Sequence, residues 1–138
     1  MYVNDFMSVS VTARAEESYL QACTLMQEHA VDHIPVVNES DVVISVLSRH
    51  DAKIAASHFN IGPIETSEVA TVEPVMIAQD ATLTAAAEIM MARRVEVLVV
   101  MDKTGHVVGV LSYHDLHNAL LHLLNRTDQN SQVSDYAH

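Results

Sequence analysis

Apolar and polar positions follow one another along the chain in blocks that predict helices and short strands. Over residues 15–29 the apolar side chains recur at helical spacing, which predicts an amphipathic helix. Residues 34–37 and 42–47 are almost wholly apolar and are separated by a polar turn, so they predict two strands. A second helix is predicted to begin at Ser48 and to run to about Ala56.

The same order of elements recurs in the second half of the chain. The pattern there predicts two helices and three strands: strand 75–77, helix 81–93, strand 97–101, strand 106–111, and a closing helix from Ser112 to about Asn125. A short strand around Val9, Val11 and Ala13 precedes the first block, as 75–77 precedes the second. Residues 60–63, Asn-Ile-Gly-Pro, break the pattern and link the halves.

Two nearly identical stretches show that the halves are copies of one unit. Residues 45–51 read Ser-Val-Leu-Ser-Arg-His-Asp and residues 109–115 read Gly-Val-Leu-Ser-Tyr-His-Asp, an offset of 64 with five of seven positions identical. Other apolar positions match at the same offset without gaps, and such self-similarity indicates an internal repeat. We assign 1–61 to repeat 1 and 62–126 to repeat 2. Residues 127–138 are polar and are expected to form a disordered tail.

The composition of the strands indicates the fold class. They alternate little between apolar and polar residues, which is typical of strands covered by helices on both faces, as parallel strands are. Each repeat then reads strand, helix, strand, strand, helix, an α/β arrangement. Because roughly sixty residues alone would be marginally stable, the two copies are expected to fold against each other.

Charge and cysteine usage exclude several classes of function. Seven Lys and Arg stand against eighteen Asp and Glu, a formal net charge of −11, whereas nucleic-acid binders and proteins at anionic membranes present basic surfaces. No apolar run is long enough for a membrane span, and the N-terminus has no signal-peptide pattern. A lone Cys23 at a helical position suits a reducing cytoplasm and a core role. No catalytic motif is present, so an enzyme is not expected.

The tandem units resemble a CBS domain pair, also called a Bateman module. The residues that carry the resemblance are the His-Ile-Pro-Val-Val strand at 33–37 and the Gly-Val-Leu-Ser-Tyr-His-Asp motif at 109–115. The resemblance covers about residues 3 to 125. It implies two repeats packed with pseudo-two-fold symmetry, and a regulatory module that binds an adenosine ligand, AMP, ADP, ATP or S-adenosylmethionine, between them. It also implies a homodimer formed through the helices around 18–29 and 82–93, and a regulated protein partner.

The resemblance also nominates ligand-binding residues by their motif positions. In the family, the Asp that ends the motif binds ribose hydroxyls, the Ser three residues earlier contacts ribose or phosphate, and a basic residue before the first apolar strand reaches phosphate. Histidines within the motifs and an adjacent arginine are further phosphate candidates. The nominated residues are Gly109, Ser112, His114 and Asp115 in the second copy and His33, Ser48, Arg49, His50 and Asp51 in the first.

Two alternatives apply to the motif itself. Ser48 and Ser112 can be helix N-caps, with the Asp three positions later completing a capping box, and this role is compatible with ligand binding. Ser45 replaces the motif glycine in the first copy, where a side chain would hinder a ligand's close approach to the backbone. The first motif is therefore the weaker candidate of the two.

Two alternatives apply to the function of the whole chain. The module could have lost its ligand and serve only as a dimerising scaffold, which the low basic count and Ser45 favour. The nine histidines could form a metal or pH sensor, but His114, His117 and His122 do not converge on one helical face as a zinc site requires. No cofactor or metal site is expected.

Overall fold

The chain folds into two β-sheets flanked by helices, and this computed structural model describes residues 1–9, 11–58 and 64–136. In chain order the first half holds α1 (Val3–Phe6), β1 (Ser8–Val9), β2 (Ala13–Arg14), α2 (Tyr19–Glu28), β3 (His33–Val37), β4 (Val43–Ser48) and α3 (Arg49–His58). The second half holds α4 (Thr66–Val69), β5 (Met76–Ala78), α5 (Leu83–Arg93), β6 (Val97–Met101), β7 (Val107–Ser112) and α6 (Tyr113–Tyr136). The predicted α/β fold of two strand-helix-strand-strand-helix units is confirmed.

Each sheet is mixed rather than parallel. The first has the order β2-β3-β4 and the second β1-β7-β6-β5. In both, the two long strands form an antiparallel hairpin, and a short strand pairs parallel to one of them, β2 with β3 and β5 with β6. The expectation of strands covered by helices on both faces was therefore wrong, because the second face of each sheet packs against the other sheet. That inter-sheet contact is a layer of valines: Val37, Val43 and Val46 from one sheet and Val97, Val99 and Val110 from the other.

Each half of the chain sends a short segment into the other half's sheet. We call the first sheet with α2, α3 and α4 the first lobe, and the second sheet with α1, α5 and α6 the second lobe. In the second lobe β1 pairs with β7, Ser8 opposite Val110, and the fully buried Val3 of α1 lies in that lobe's core. In the first lobe Val72 bridges Val46, whose N–H donates to the Val72 carbonyl at 3.0 Å.

These two contacts are equivalent under the repeat, since Ser8 and Val72, like Val46 and Val110, are 64 residues apart. The boundary predicted between 61 and 62 therefore separates two sequence repeats but not two independent folding units. Residues 1–9 complete the second lobe, and residues 64–72 complete the first. The linking residues 60–63 lie outside the described part of the chain.

The helices α2 and α5 each bury one face against a sheet, although Leu20, on the predicted apolar stripe of α2, is exposed. Ser18 caps α2, its Oγ accepting a hydrogen bond from the Leu20 N–H, and Thr82 caps α5 in the same way through the Ala85 N–H. Behind the caps, Ala22 and Met26 of α2 pack on the first sheet, and α5 packs on the second. The central strand leucines and isoleucine, Ile34, Leu47, Leu98 and Leu111, are fully buried, which stabilises the fold by about 1.5–3 kcal/mol each.

The structure departs from the sequence analysis at both ends of the chain. The single strand predicted around Val9, Val11 and Ala13 is two strands in different sheets, because β1 pairs with β7 and β2 with β3. The four-residue helices α1 and α4 were not predicted. Helix α6 continues to Tyr136 through most of the segment predicted to be a disordered tail, in which no Gly or Pro interrupts the helix.

The packing of β1 against β7 requires a glycine at position 109, and substituting Gly109 tests this requirement. A Cβ at position 109 would overlap the carbonyl oxygen of Ser8 and approach the Met7 sulfur at 3.2 Å, so the backbone of β1 would have to move. Gly109→Ala should lower the free energy of unfolding by about 1–3 kcal/mol, measured by urea denaturation.

The matched control for that substitution is Ser45→Ala, at the equivalent position of repeat 1. Ser45 already carries a Cβ, and its buried Oγ has no hydrogen-bond partner among the described residues. Removing this hydroxyl should leave stability unchanged or slightly higher, because an unsatisfied buried polar atom is lost. Equal stabilities of Gly109→Ala and the wild type would contradict the proposed role of Gly109 in admitting β1.

Candidate functional site

The two sequence motifs occupy the same kind of position, the junction of a strand and a helix. Ser48 ends β4 and its Oγ accepts a hydrogen bond from the Asp51 N–H at 3.0 Å as α3 begins. In the second motif the Ser112 Oγ accepts from the Asp115 N–H at 3.2 Å, and the Asp115 carboxylate accepts from the Ser112 N–H at 2.9 Å. The capping interpretation is thus confirmed: the second motif forms a complete capping box and the first an N-cap.

The carboxylate of Asp51 has a different partner from that of Asp115. Its Oδ2 accepts a hydrogen bond from the Thr71 hydroxyl at 2.9 Å. Thr71 belongs to the segment that crosses from repeat 2 onto the first lobe, next to Val72 and its bridge to Val46. The first motif is therefore linked to the exchanged segment through side chains, and its carboxylate is turned away from the helix cap.

A cavity of about 760 Å³ lies between the lobes beside the first motif, and we call it the first cleft. It is wide enough for a ligand of nucleotide size. Its walls come from the start of β3, the β4–α3 junction, the exchanged segment and the turn between α5 and β6. The lining residues are Asp32, His33, Ser48, Arg49, His50, Asp51, Lys53, Thr71, Val72, Glu73, Arg94, Val95, Glu96 and Val97.

Charged side chains of both signs line the first cleft. The whole chain has seven Lys and Arg, and three of them, Arg49, Lys53 and Arg94, line this cavity together with four carboxylates, those of Asp32, Asp51, Glu73 and Glu96. Arg49 pairs with Asp32 at 3.3 Å, and Arg93, just outside the cleft, approaches Glu73 at 3.8 Å. All four of these side chains are more than half exposed, so the pairs are weak and can exchange partners.

His33 lies at the inner wall of the first cleft, where it is half-buried. Burial lowers the pKa of His33 below its ordinary value of 6.5, because desolvation disfavours the imidazolium. Carboxylates from both repeats act in the opposite direction without cancelling the effect of burial; they belong to Asp32, Glu96, Asp115 and Asp51. The motif carboxylates of both repeats, Asp51 and Asp115, therefore act on the same histidine, His33.

The structure brings together all of the residues nominated in the first copy in one cavity, and none of those nominated in the second copy lines it. His33, Ser48, Arg49, His50 and Asp51 all line the first cleft. In the second copy, β1 covers Gly109, the capping box holds Ser112 and Asp115, and His114 is exposed on α6. The ranking of the second motif above the first is not supported by this geometry, although ligand binding by Asp115 remains a prediction.

Several residues of the cleft were missed by the sequence analysis. Thr71 and Glu73 come from the exchanged segment, whose crossing no local pattern indicates. Lys53 stands one helical turn after Arg49, and that i, i+4 spacing on α3 was a signal that could have been used. Arg94 ends α5, with a left-handed φ of 54° and its N–H donating to the Met90 carbonyl, and it also lines the cleft.

Neither metal ligation nor a membrane span is found in the described part of the chain. The described His, Cys, Asp and Glu residues include no group of three that could hold a metal ion. No helix among them has the length and apolar composition needed to cross a bilayer. Burial raises the pKa of the Cys23 thiol, which disfavours the nucleophilic thiolate.

Comparison with known proteins identifies the family. The family model described as the CBS domain matches twice, over residues 3–57 and 67–122. The chain belongs to the CBS domain family. A curated relative, inosine-5′-monophosphate dehydrogenase of Korarchaeum cryptofilum (strain OPF8), is 24% identical over 123 residues, which are 89% of this chain and 25% of the relative. The chain spans about a quarter of the length of this relative and of other curated relatives that it matches.

Solved CBS structures have the same fold. CBSX2 in complex with AMP superposes with a TM-score of 0.65 at 22% identity, covering 88% of this chain and 97% of that one. CBSX2 is a CBS-pair protein of Arabidopsis thaliana. The CBS domain of a bacterial CNNM/CorC family Mg²⁺ transporter in complex with ATP superposes with a TM-score of 0.71 at 18% identity, covering 88% and 87%. At these identities the likeness shows the fold.

The lowered pKa of His33 predicts how stability depends on pH. Below pH 6.5 the unfolded chain takes up a proton at this histidine before the folded chain does, so the contribution of His33 to stability falls as the pH drops towards its folded pKa. His33→Gln removes this proton linkage. Between pH 7 and pH 5 the variant should therefore lose less stability than the wild type in urea denaturation. Parallel curves for the two proteins would contradict a lowered pKa.

Proposed function

We propose that this CBS pair is a regulatory module that binds an adenosine nucleotide in the first cleft. One observation carries the proposal: in a chain of net charge −11, three of the seven Lys and Arg side chains line one cavity of nucleotide size between the lobes, beside the Ser and Asp of the first motif. Four carboxylates line the same cavity, but the ion pair of Arg49 with Asp32 is exposed and therefore weak. The cations can thus turn to the phosphate of a bound ligand.

The phosphates would bind at the end of the cleft formed by α3 and the α5–β6 turn. Arg49 and Lys53 stand one turn apart on α3, and Arg94 approaches from the second lobe. The N-terminal end of α3 adds N–H groups and the positive end of its dipole. The exposed ion pair between Arg49 and Asp32 would open, because a phosphate offers the guanidinium a stronger, bidentate partner.

The nucleoside would bind deeper, beside the exchanged segment. Asp51 would accept hydrogen bonds from the ribose hydroxyls, as the family resemblance implies. The hydrogen bond from Thr71 already holds its carboxylate at the cleft wall, which reduces the ordering needed on binding. Val72, Val95 and Val97 give the same cleft an apolar surface on which an adenine ring can pack.

Among the nominated ligands we favour AMP, ADP or ATP over S-adenosylmethionine. Their phosphates would give Arg49, Lys53 and Arg94 partners that S-adenosylmethionine lacks, although the carboxylates of the cleft and the net charge of the chain would attract its sulfonium and ammonium groups. The relatives support the same choice, because CBSX2 was solved with AMP and the CNNM/CorC CBS domain with ATP.

Occupancy would be passed to a regulated protein by a population shift. The first cleft is built from both lobes, so a ligand that bridges Arg49 and Arg94 binds one relative position of the lobes better than another. We further propose that the module works as a homodimer through its helices and acts in a cytoplasm, on a partner that the nucleotide switches.

A scaffold without ligand is the second candidate. It is favoured by the second motif, where β1 covers Gly109 and the capping box engages the Asp115 carboxylate. If the first cleft were equally unused, the module would serve only to hold its dimer or its partner together. The two candidates differ in whether nucleotides bind at all.

Removing one cleft cation distinguishes nucleotide from nucleoside binding. Arg94→Gln should weaken ATP binding about tenfold in isothermal titration calorimetry, because one charged contact to phosphate is lost. Adenosine, which has no phosphate, should bind both proteins equally. The matched control is Lys103→Gln, which removes an exposed cation in the β6–β7 turn outside the cleft and should leave ATP binding unchanged.

Two further variants locate the ribose. Asp51→Asn should weaken ATP, AMP and adenosine alike, whereas Asp115→Asn, the same change in the second motif, should not. Loss of binding in Asp115→Asn alone would move the site to the second motif. The absence of binding by any adenosine compound at millimolar concentration would leave the ligand-free scaffold as the function.

A further inference from the structure

A second cavity lies on the outer, helical side of the first lobe, between α2 and α3. Its volume is about 480 Å³, and we call it the helix groove. Its floor is apolar and consists largely of small or buried side chains, among them Cys23, Met26, Ala52 and Ala56. Leu20 stands on its rim and is 59% exposed. An apolar groove of this kind on a helical face is suited to side chains from another helix.

The second lobe presents large apolar side chains where the first lobe has the groove. At the repeat offset of 64, Ala52 corresponds to Leu116, Ala56 to Leu120 and Gln27 to Met91. Leu120 is 52% exposed, Leu124 one turn later is 47% exposed, and Met91 on α5 is 80% exposed. We call Met91, Leu120 and Leu124 the apolar ridge. At equivalent positions the first lobe therefore has a groove, and the second lobe has protruding apolar side chains.

We propose that a second copy of this chain occupies the helix groove with its apolar ridge, in a head-to-tail dimer. The inference rests on the homodimer proposed above and specifies its orientation. In a two-fold arrangement of this kind the first lobe of each protomer meets the second lobe of its partner, so the groove-ridge contact forms twice. The head-to-head alternative would place groove against groove and ridge against ridge, leaving one gap and one steric conflict.

The exposed apolar area supports a partner at this surface. Monomeric proteins rarely expose contiguous apolar patches of more than a few hundred Å². Leu20 at the groove and the three ridge residues are large apolar side chains, and each is between 47% and 80% exposed on the helical faces. Because the contact is made twice, the helical faces of both lobes of each protomer would be covered. The surface buried on each protomer would then approach the roughly 800 Å² that is typical of a stable interface.

The helix groove and the first cleft share two cationic residues. Arg49 and Lys53 line both cavities, since the first turns of α3 separate them. Phosphates in the cleft would draw these side chains to one side of α3 and leave the groove more apolar. The dimer and the nucleotide would then strengthen each other's binding by the same factor, as linkage requires.

The orientation can be read from cross-links, because Cys23 is the chain's only cysteine and lines the groove. Leu120→Cys places a second thiol on the ridge. Under mild oxidation or with a short bismaleimide, this variant should form cross-linked dimers that join Cys23 to position 120 of the partner. Wild type, with a thiol only in the groove, and the double variant Cys23→Ala/Leu120→Cys, with a thiol only on the ridge, should stay uncross-linked.

Each other outcome contradicts a defined part of the inference. Cross-linking of the wild type or of the double variant to itself would indicate the head-to-head dimer and overturn the orientation. A monomer at micromolar concentration in sedimentation equilibrium would remove the dimer itself. Nucleotide binding in the first cleft is measured separately by calorimetry and would stand in both cases.

Sedimentation equilibrium also tests the surface and its coupling to the cleft. Leu120→Gln should weaken the dimer at least tenfold, whereas Val42→Gln, at a similarly exposed apolar residue in the β3–β4 turn (55%), should not. Saturating ATP should strengthen the wild-type dimer about fivefold or more. An unchanged dimer dissociation constant, in a protein shown to bind ATP, would overturn the coupling.

Discussion

The exchange of backbone segments between the two halves is the constraint on which the structure depends. The N–H of Val46 donates to the carbonyl of Val72, and Ser8 pairs with Val110 in the same way on the other side. A strand edge left without these partners would expose unpaired N–H and C=O groups. Neither lobe is complete without a piece of the other half of the sequence, so the valine layer between the sheets forms only when both repeats are folded.

The same exchange gives the two motifs different surroundings. On the first lobe the crossing segment brings Thr71 to the Asp51 carboxylate and leaves a cleft open beside them. On the second lobe β1 lies directly over Gly109, and the Asp115 carboxylate returns to its own helix cap. Two sequences that match at five of seven positions thus differ in what their shared Asp can do, because its neighbours come from elsewhere in the chain.

Much of the fold could be predicted from the sequence because its signals are local and repeated. The offset of 64 and the apolar periodicity predicted both long strands and the first helix of each repeat, and strand 97–101 was predicted at its observed bounds. The exchanged segments could not be predicted, since α1 and α4 are four residues long and carry no periodic pattern. Their partners are distant in sequence, so only the folded chain reveals the crossing.

For the site, the motif positions nominated residues that share one cavity, whereas the crossing segment contributes residues that no motif indicates. His33, Ser48, Arg49, His50 and Asp51 were nominated from their positions, and they line one cavity. The glycine was interpreted as room for a ligand at position 109, whereas it makes room for the backbone of β1. The ranking of the second motif above the first rested on that interpretation and stays a prediction. Thr71 could not be nominated from the motifs, because its hydrogen bond to Asp51 joins residues twenty positions apart.

The central claim is that the first cleft, and not the second motif, receives the nucleotide. The measurement that tests it most directly is a map of backbone amide chemical shifts during titration with ATP. The largest changes should fall on residues 49–51, 71–73 and 94–97, which come from three separate segments and meet only in this cleft. Changes concentrated instead on residues 113–115 and on Ser8 would place the ligand at the second motif and contradict the account.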